Sequence, residues 1–278
     1  MSANTSLSLI PISDYNPAGN AGRLPRIVCL IPARYASSRF PGKPLADLCG
    51  WPMIRHVYER VRQAPLVSWA AVATDDERIA AAVRAFGGNA LMTDPALRSG
   101  TDRIAAAAAQ LELADDDIVV NIQGDQPLFM PSQIAEVIRP LRDDPSLPMA
   151  TLIYRIVQPA EITHPHAVKV VFDCRGRALY FSRATIPYVR AAGQGASYYK
   201  HHGIYAYRRW FLTVFASLPE GEWERLEKLE QLRALEHGYA IGVAITAEDS
   251  LEVDSPEELL RVRELLQTGG PQKNVAPL

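Results

Sequence analysis

Arg34, Arg39 and Lys43 place three cations within ten residues of the segment Ile31-Pro-Ala-Arg-Tyr-Ala-Ser-Ser-Arg-Phe-Pro-Gly-Lys-Pro-Leu45. Ser37 and Ser38 add hydroxyls, and Gly42 lets the backbone turn closely around a ligand. This set suits a phosphate chain, because a guanidinium forks onto oxygens while an ammonium acts as a mobile point charge. The spacing matches neither Gly-x-Gly-x-x-Gly nor the P-loop, so neither a dinucleotide site nor an ATPase follows from it. On the residues alone, a solvated loop making surface ion pairs is the competing reading.

Two acidic positions could complement such a loop. Asn121-Ile-Gln-Gly-Asp-Gln-Pro127 follows an apolar run, and Gly124 lets the chain turn so that Asp125 aims into a crevice. A carboxylate there can hold Mg²⁺ against triphosphate oxygens, or can simply bond its own turn. Asp254 precedes Ser255-Pro256 and is either a helix-dipole partner or a second metal carboxylate. Between them in the chain, Ser99, Gly100 and Thr101 gather backbone N–H groups and a hydroxyl at a helix start. An ordinary capped helix explains those three residues equally well.

The elements that must position these groups alternate. Ile27 to Ile31 reads as a buried strand, and a helix from Pro52 puts Met53, Ile54, Val57, Tyr58 and Val61 on one face. Trp69 to Ala73 is a strand, Ile79, Ala80, Val83 and Phe86 mark a helix, and residues 102–111 form another. Ile118 to Ile122 is a strand, followed by a helix carrying Ile134, Val137, Ile138 and Leu141. Such alternation predicts an α/β fold with a parallel or mostly parallel sheet covered on both faces. Ligands of open α/β sheets lie beyond the carboxyl ends of strands, where both the basic loop and Asp125 fall.

Strands then dominate: 150–154, 167–172, 177–181 and 203–207, with Asp173-Cys-Arg-Gly176 as a hairpin turn. Glu224 to His237 reads as one helix bearing Leu226, Leu229, Leu232 and Leu235, and 239–245 as a strand. Ser255 caps a final helix, with Pro256 first and Glu258 completing a capping box. The expected organisation is a flexible tail over 1–24, a single domain over 25–268 with a smaller lobe within about 150–220, and a tail over 269–278.

Apolar residues make up 48% and charged residues 22% of the 278, which describes a globular chain. The formal net charge of −2 provides no global positive field for nucleic acid or anionic membrane. Leu7 to Ile10 is too short an apolar run for a signal or anchor. Cys29, Cys49 and Cys174 are odd in number and far apart, so they read as fillers in a reducing, cytoplasmic compartment.

Together these segments resemble the 3-deoxy-manno-octulosonate cytidylyltransferases, within the sugar nucleotidyltransferases. The resemblance runs from about Arg26 to Leu266 and rests on an ordered set of motifs. These are the basic loop, Ser99-Gly-Thr101, Val120-Asn-Ile-Gln-Gly-Asp125, Ala167-Val-Lys-Val-Val171 and Ala178-Leu-Tyr-Phe-Ser-Arg-Ala-Thr-Ile-Pro187. His201, Gly203-Ile-Tyr205, Leu229-Glu-Gln-Leu-Arg233 and Val253-Asp-Ser-Pro-Glu257 complete it. It implies a nucleotide-diphospho-sugar transferase-like fold with a mixed central sheet, a homodimer, and CTP as co-substrate. CMP would pass to an acidic eight-carbon sugar with release of pyrophosphate, the anomeric hydroxyl attacking the α-phosphorus in line.

Carried onto matching positions, the resemblance places Arg34, Arg39 and Lys43 around the triphosphate and Ser99, Gly100 and Thr101 in the nucleotide pocket. Asp125 and Asp254 would hold Mg²⁺. Gln123, Arg183, His201, Tyr205, Glu227, Glu230 and Gln231 would face the sugar, Arg183 as carboxylate anchor and His201 as a binding group or general base. Gln126 stands where the family commonly has Glu, and His166 and His202 replace common Asn and aliphatic residues. Gly221-Glu-Trp-Glu224 replaces a familiar Ser-Pro-Leu-Glu run. These departures leave room for a modified sugar. The alternatives are therefore an amino-substituted octulosonate, a sialic-acid relative, or a nucleotide-binding protein without turnover.

Overall fold

Strand β1 (Ile27–Ala33) sends Val28 and Leu30 into one apolar cluster and Cys29, Ile31 and Ala33 into another, on opposite faces of a sheet. A computed structural model describes residues 23–36, 40–97, 99–191 and 195–268. Residues 1–22 of the tail expected over 1–24, the tail expected over 269–278, and Ser37, Ser38 and Arg39 of the basic loop lie outside the described residues.

After β1 come the short antiparallel pair β2 (Asp47–Leu48) and β3 (Trp51–Pro52), then α1 (Met53–Arg62), β4 (Trp69–Thr74) and α2 (Glu77–Ala85). β5 (Ala90–Met92), α3 (Gly100–Ala108), β6 (Ile118–Asn121), α4 (Ser132–Asp143) and β7 (Met149–Arg155) follow. Next are α5 (Pro159–Thr163), β8 (Lys169–Phe172), β9 (Ala178–Ser182), β10 (Tyr199–Arg208) and α6 (Arg209–Ser217). The chain continues through α7 (Glu222–Glu227), α8 (Leu232–Glu236), β11 (Ile241–Thr246) and α9 (Pro256–Gln267).

The sheet order among the described residues is β11-β7-β10-β6-β1-β4-β5. It is mixed: β10 runs antiparallel to both neighbours, β6 and β7, while β1 pairs parallel with β4 and β6. Helices α1, α2 and α4 cover one face, and α3, α6 and α8 contribute to the core on the other. The β8–β9 hairpin leaves this path and meets β10 at Lys200↔Lys169. Its turn closes as expected, with Asp173 bonded to Arg177 and Gly176 at φ +73°.

One expectation fails. The span from Glu224 to His237 is not a single helix; α7 ends at Lys228, in the left-handed conformation (φ 54°, ψ 48°), and α8 begins at Leu232. Leucines three residues apart drift around a helix of 3.6 residues per turn, and Leu226 is 64% exposed, so they define no common face. The final helix matches its expectation: Ser255 and Glu258 form a reciprocal capping box, with Pro in the first turn.

Candidate active site

The carboxyl ends of β1 and β6 open onto two adjoining cavities. The smaller, about 350 Å³, is lined on one side by Ala33, Arg34 and Lys43 of the basic loop. The larger, a cleft of about 730 Å³, is lined by Gly100, Thr101, Arg183, His201, Tyr205, Glu230 and Gln231. Gln123, Asp125 and Asp254 line both.

The approach of Asp125 to Asp254 is built from the backbone. Val253 N–H donates to Asp125 C=O at 2.9 Å, and Val253 packs with Leu48, Met53, Leu259 and Val262 in a third apolar cluster under α9. Gly124 is required there, because a Cβ on it would lie 2.8 Å from the Pro32 carbonyl oxygen. Lys43 Nζ bridges the carboxylates, 2.8 Å from Asp125 Oδ2 and 3.1 Å from Asp254 Oδ1. Burial alone would lower the Lys43 pKa, but both carboxylates act against it and the result is raised, so the bridge is ionic. Lys43, expected against phosphate, lies between the two acids and lines the smaller cavity.

Glu252, not anticipated from the sequence, lines the cleft beside them. Crowding by protein raises its pKa first, and the charges of Asp125 and Asp254 raise it further. Its place two residues before Asp254 was the available signal.

At the start of α3, Ser99 accepts from Asp102 N–H at 3.0 Å, so its side chain is used as a cap and lines neither cavity. Thr101 Oγ1 donates to Glu230 Oε2 at 2.6 Å. Burial raises the Glu230 pKa, against hydrogen bonds from Thr101 and Ser99 that favour its ionised form. Tyr205 O–H donates to Gln231 Oε1 at 3.1 Å, and Gln231 Nε2 has no partner among the described residues. Gln123 Nε2 makes a long contact, 3.4 Å, to Gly203 C=O.

Arg183 lines the cleft with its guanidinium fixed by two carbonyls, Nε to Glu227 O at 2.7 Å and Nη1 to Pro165 O at 3.0 Å. The Glu227 carboxylate points elsewhere, accepting from Ser182 Oγ and Arg183 N–H, and Glu227 does not line the cleft. It positions Arg183 instead. Lys169 Nζ ties the same region together by donating to the carbonyls of His164, Ala167 and Arg183.

His201 lies 3.0 Å from Thr151 Oγ1, and burial lowers its pKa to about 3. A group so weakly basic is neutral at physiological pH and far from the match a general base needs. The general-base option is therefore not favoured, while hydrogen bonding remains open to the neutral ring.

The sequence model of the cytidylyltransferases matches residues 28–245. The chain belongs to this family. A 3-deoxy-manno-octulosonate cytidylyltransferase of Syntrophus aciditrophicus is 71% identical over 241 residues, covering 87% of this chain and 97% of the relative. An 8-amino-3,8-dideoxy-manno-octulosonate cytidylyltransferase of Shewanella sp. (strain ANA-3) is 56% identical, covering 86% of this chain and 98% of the relative. Among solved structures, a CMP:2-keto-3-deoxy-manno-octonic acid synthetase complexed with CTP superposes with TM-score 0.83 at 48% identity. It covers 88% of this chain and 99% of its own. A 4-diphosphocytidyl-2C-methyl-D-erythritol synthase shares the fold alone, at TM-score 0.61 and 12% identity. Asp125, Asp254 and the described cations of the basic loop, Arg34 and Lys43, thus line one cavity of this fold. No helix of the described residues is long and apolar enough to cross a membrane.

Proposed function

We propose that this enzyme transfers CMP from CTP to 3-deoxy-D-manno-octulosonate with Mg²⁺, releasing pyrophosphate, as a cytoplasmic homodimer. The observation that carries the reading is the shared wall: Asp125 and Asp254 border both the basic-loop cavity and the sugar-sized cleft. Two ligands bound one in each cavity would meet at those carboxylates.

The residues fit magnesium. Two hard carboxylates face each other across a single cation, Lys43 Nζ, which shows the geometry accepts positive charge there. Among the described residues no group of three or more His, Cys, Asp or Glu is arranged to hold a metal. A two-carboxylate site leaves positions for phosphate oxygens and water, the arrangement magnesium favours. Held by Asp125 and Asp254, the ion would supply Lewis acidity to the phosphates.

The protein's own groups do the rest. Arg34, Arg39 and Lys43 offset the charge that accumulates on pyrophosphate as it leaves. Gly100 and Thr101 frame the nucleotide, and Ser99 caps the helix that carries them. Arg183 takes the sugar carboxylate with its remaining N–H donors, while His201, Tyr205, Gln231, Glu230 and Gln123 fix the hydroxyls. The anomeric oxygen forms a bond to the α-phosphorus as the bond from that phosphorus to the oxygen bridging it to the β-phosphate breaks; pyrophosphate leaves with that oxygen, and the hydroxyl proton passes to water. The chain supplies orientation and electrostatics, not a covalent nucleophile.

Mass analysis of the product from CTP, Mg²⁺ and 3-deoxy-manno-octulosonate tests this directly. CMP-3-deoxy-manno-octulosonate with stoichiometric pyrophosphate is expected; CTP binding without either product would establish a non-catalytic binding protein.

A further inference from the structure

Beside the cleft lies a second chamber of about 630 Å³, which shares His166, His201, Glu252 and Asp254 with it. Gln126 and His202 line this chamber and are 1% and 4% exposed. Gln126 Nε2 donates to Glu252 Oε1 at 3.2 Å, leaving Gln126 Oε1 without a partner among the described residues. Both ring nitrogens of His202 and the Ser250 hydroxyl are likewise unpartnered. Asp249 Oδ1 is 4.0 Å from His202 Nε2, beyond hydrogen-bond range. Buried polar atoms are ordinarily satisfied, so this cluster marks contacts that the protein does not make for itself.

The chemistry of the lining selects a ligand class. Burial lowers the His202 pKa to about 4, so the ring is neutral at pH 7 and offers one lone pair. Gln126 Oε1 and Ser250 Oγ are further acceptors. Among the described residues the one ammonium lining the chamber, Lys200, is held by Glu161 and Asp249, and Glu252 and Glu258 leave the lining acidic. A primary ammonium carries three donors and a positive charge; a hydroxyl carries one donor and none. Gly203 stands at the boundary: a Cβ on it would lie 3.5 Å from both Gln126 Nε2 and Glu252 Oε1, and 3.6 Å from Gln123 Cγ in the cleft. The missing side chain keeps the space between cleft and chamber open.

We propose that this chamber is a subsite for an amine-bearing end of the acceptor sugar, and that Gln126 and His202 set the preference for amine over hydroxyl there. The inference rests on the proposed cytidylyl transfer to an acidic octulosonate. It assigns a purpose to Gln126, His166 and His202, since all three line this chamber.

The test uses the full chain with CTP and Mg²⁺, and compares kcat/KM for 3-deoxy-manno-octulosonate with that for 8-amino-3,8-dideoxy-manno-octulosonate. The unaltered protein is expected to use the amino sugar at least as efficiently as the hydroxyl sugar. His202→Leu, which removes both ring nitrogens, is expected to lower use of the amino sugar about tenfold, as for one lost bond to a charged group, while the hydroxyl sugar and CTP binding hold. Asp249→Asn, a change at a partly exposed side chain, is expected to act in the same direction and decides the matter if His202→Leu does not fold. An unchanged ratio between the sugars in both variants, or equal losses for both, overturns the subsite. So does failure of the unaltered protein to use the amino sugar while it turns over the hydroxyl sugar. Transfer to neither sugar removes the proposed function and the subsite together.

Discussion

Asp125 and Asp254 show how much one charge matters at a shared wall. Asn at either position keeps the shape and removes the charge that would hold a divalent ion. Asp125→Asn is therefore expected to fold normally and to lose on the order of 10²–10³ in magnesium-dependent turnover. Pyrophosphate release with an unchanged magnesium response would remove Asp125 from the metal site. Asp254→Asn is expected to act likewise, with Lys43 losing one of its two partners. Arg183 asks a different question, because its plane is fixed by Glu227 O and Pro165 O. Lys cannot reproduce that fork. Arg183→Lys is expected to weaken sugar use by about 2–5 kcal/mol, nearer the low end, with CTP binding preserved. Equal sugar kinetics in the two proteins would refute the carboxylate anchor.

At the level of elements, the break between α7 and α8 delivers Glu230 and Gln231 to the cleft. Lys228 makes the break in a left-handed conformation, which a β-branched residue tolerates poorly. Lys228→Val is expected to cost about 1–2 kcal/mol in urea unfolding and to raise the sugar KM more than the CTP KM. Matching stability with unchanged KM values would show that the break is held by its neighbours instead. Helix α9 has a comparable duty, since its capping box immediately follows Asp254. Ser255→Ala is expected to destabilise by about 1 kcal/mol and to raise the magnesium concentration needed for half-maximal rate. A stability loss alone would confine Ser255 to the cap.

Across the whole molecule, two histidines, the half-buried His201 and the buried His202, couple folding to pH. The pKa values of His201 and His202 fall to about 3 and about 4 in the folded chain, from an ordinary value of 6.5. Between those limits the unfolded chain binds protons that the folded chain does not, so stability falls as pH drops below about 6.5. His202→Leu is expected to remove one such contribution, ~3 kcal/mol between pH 7 and 4. Urea unfolding of both proteins across that range measures the difference, and parallel pH curves would contradict it. Removal of residues 1–22, in which Asp14 is the single charged side chain, is expected to leave solubility and turnover intact. The shortened protein is expected to sediment as a dimer, and a monomer at assay concentration would count against the proposed assembly.

Much of this was legible along the chain because it is local. The continuous apolar run of β1, the apolar face of α1 and the Ser255 box depend on neighbours within a few residues, and each formed as the sequence indicates. The basic loop and Asp125 could be placed at strand ends for the same reason. What stayed hidden was pairing at a distance. Residue types and spacing do not join Asp125 to Asp254, which only the family resemblance paired, and nothing in the sequence gives Lys43 to both or turns the Glu227 carboxylate onto Ser182 and the Arg183 backbone. Glu252 and the chamber lined by Gln126 and His202 are likewise products of packing. Such contacts are set by how α9 and the β8–β9 hairpin close against the sheet, and burial then determines which side chains carry charge.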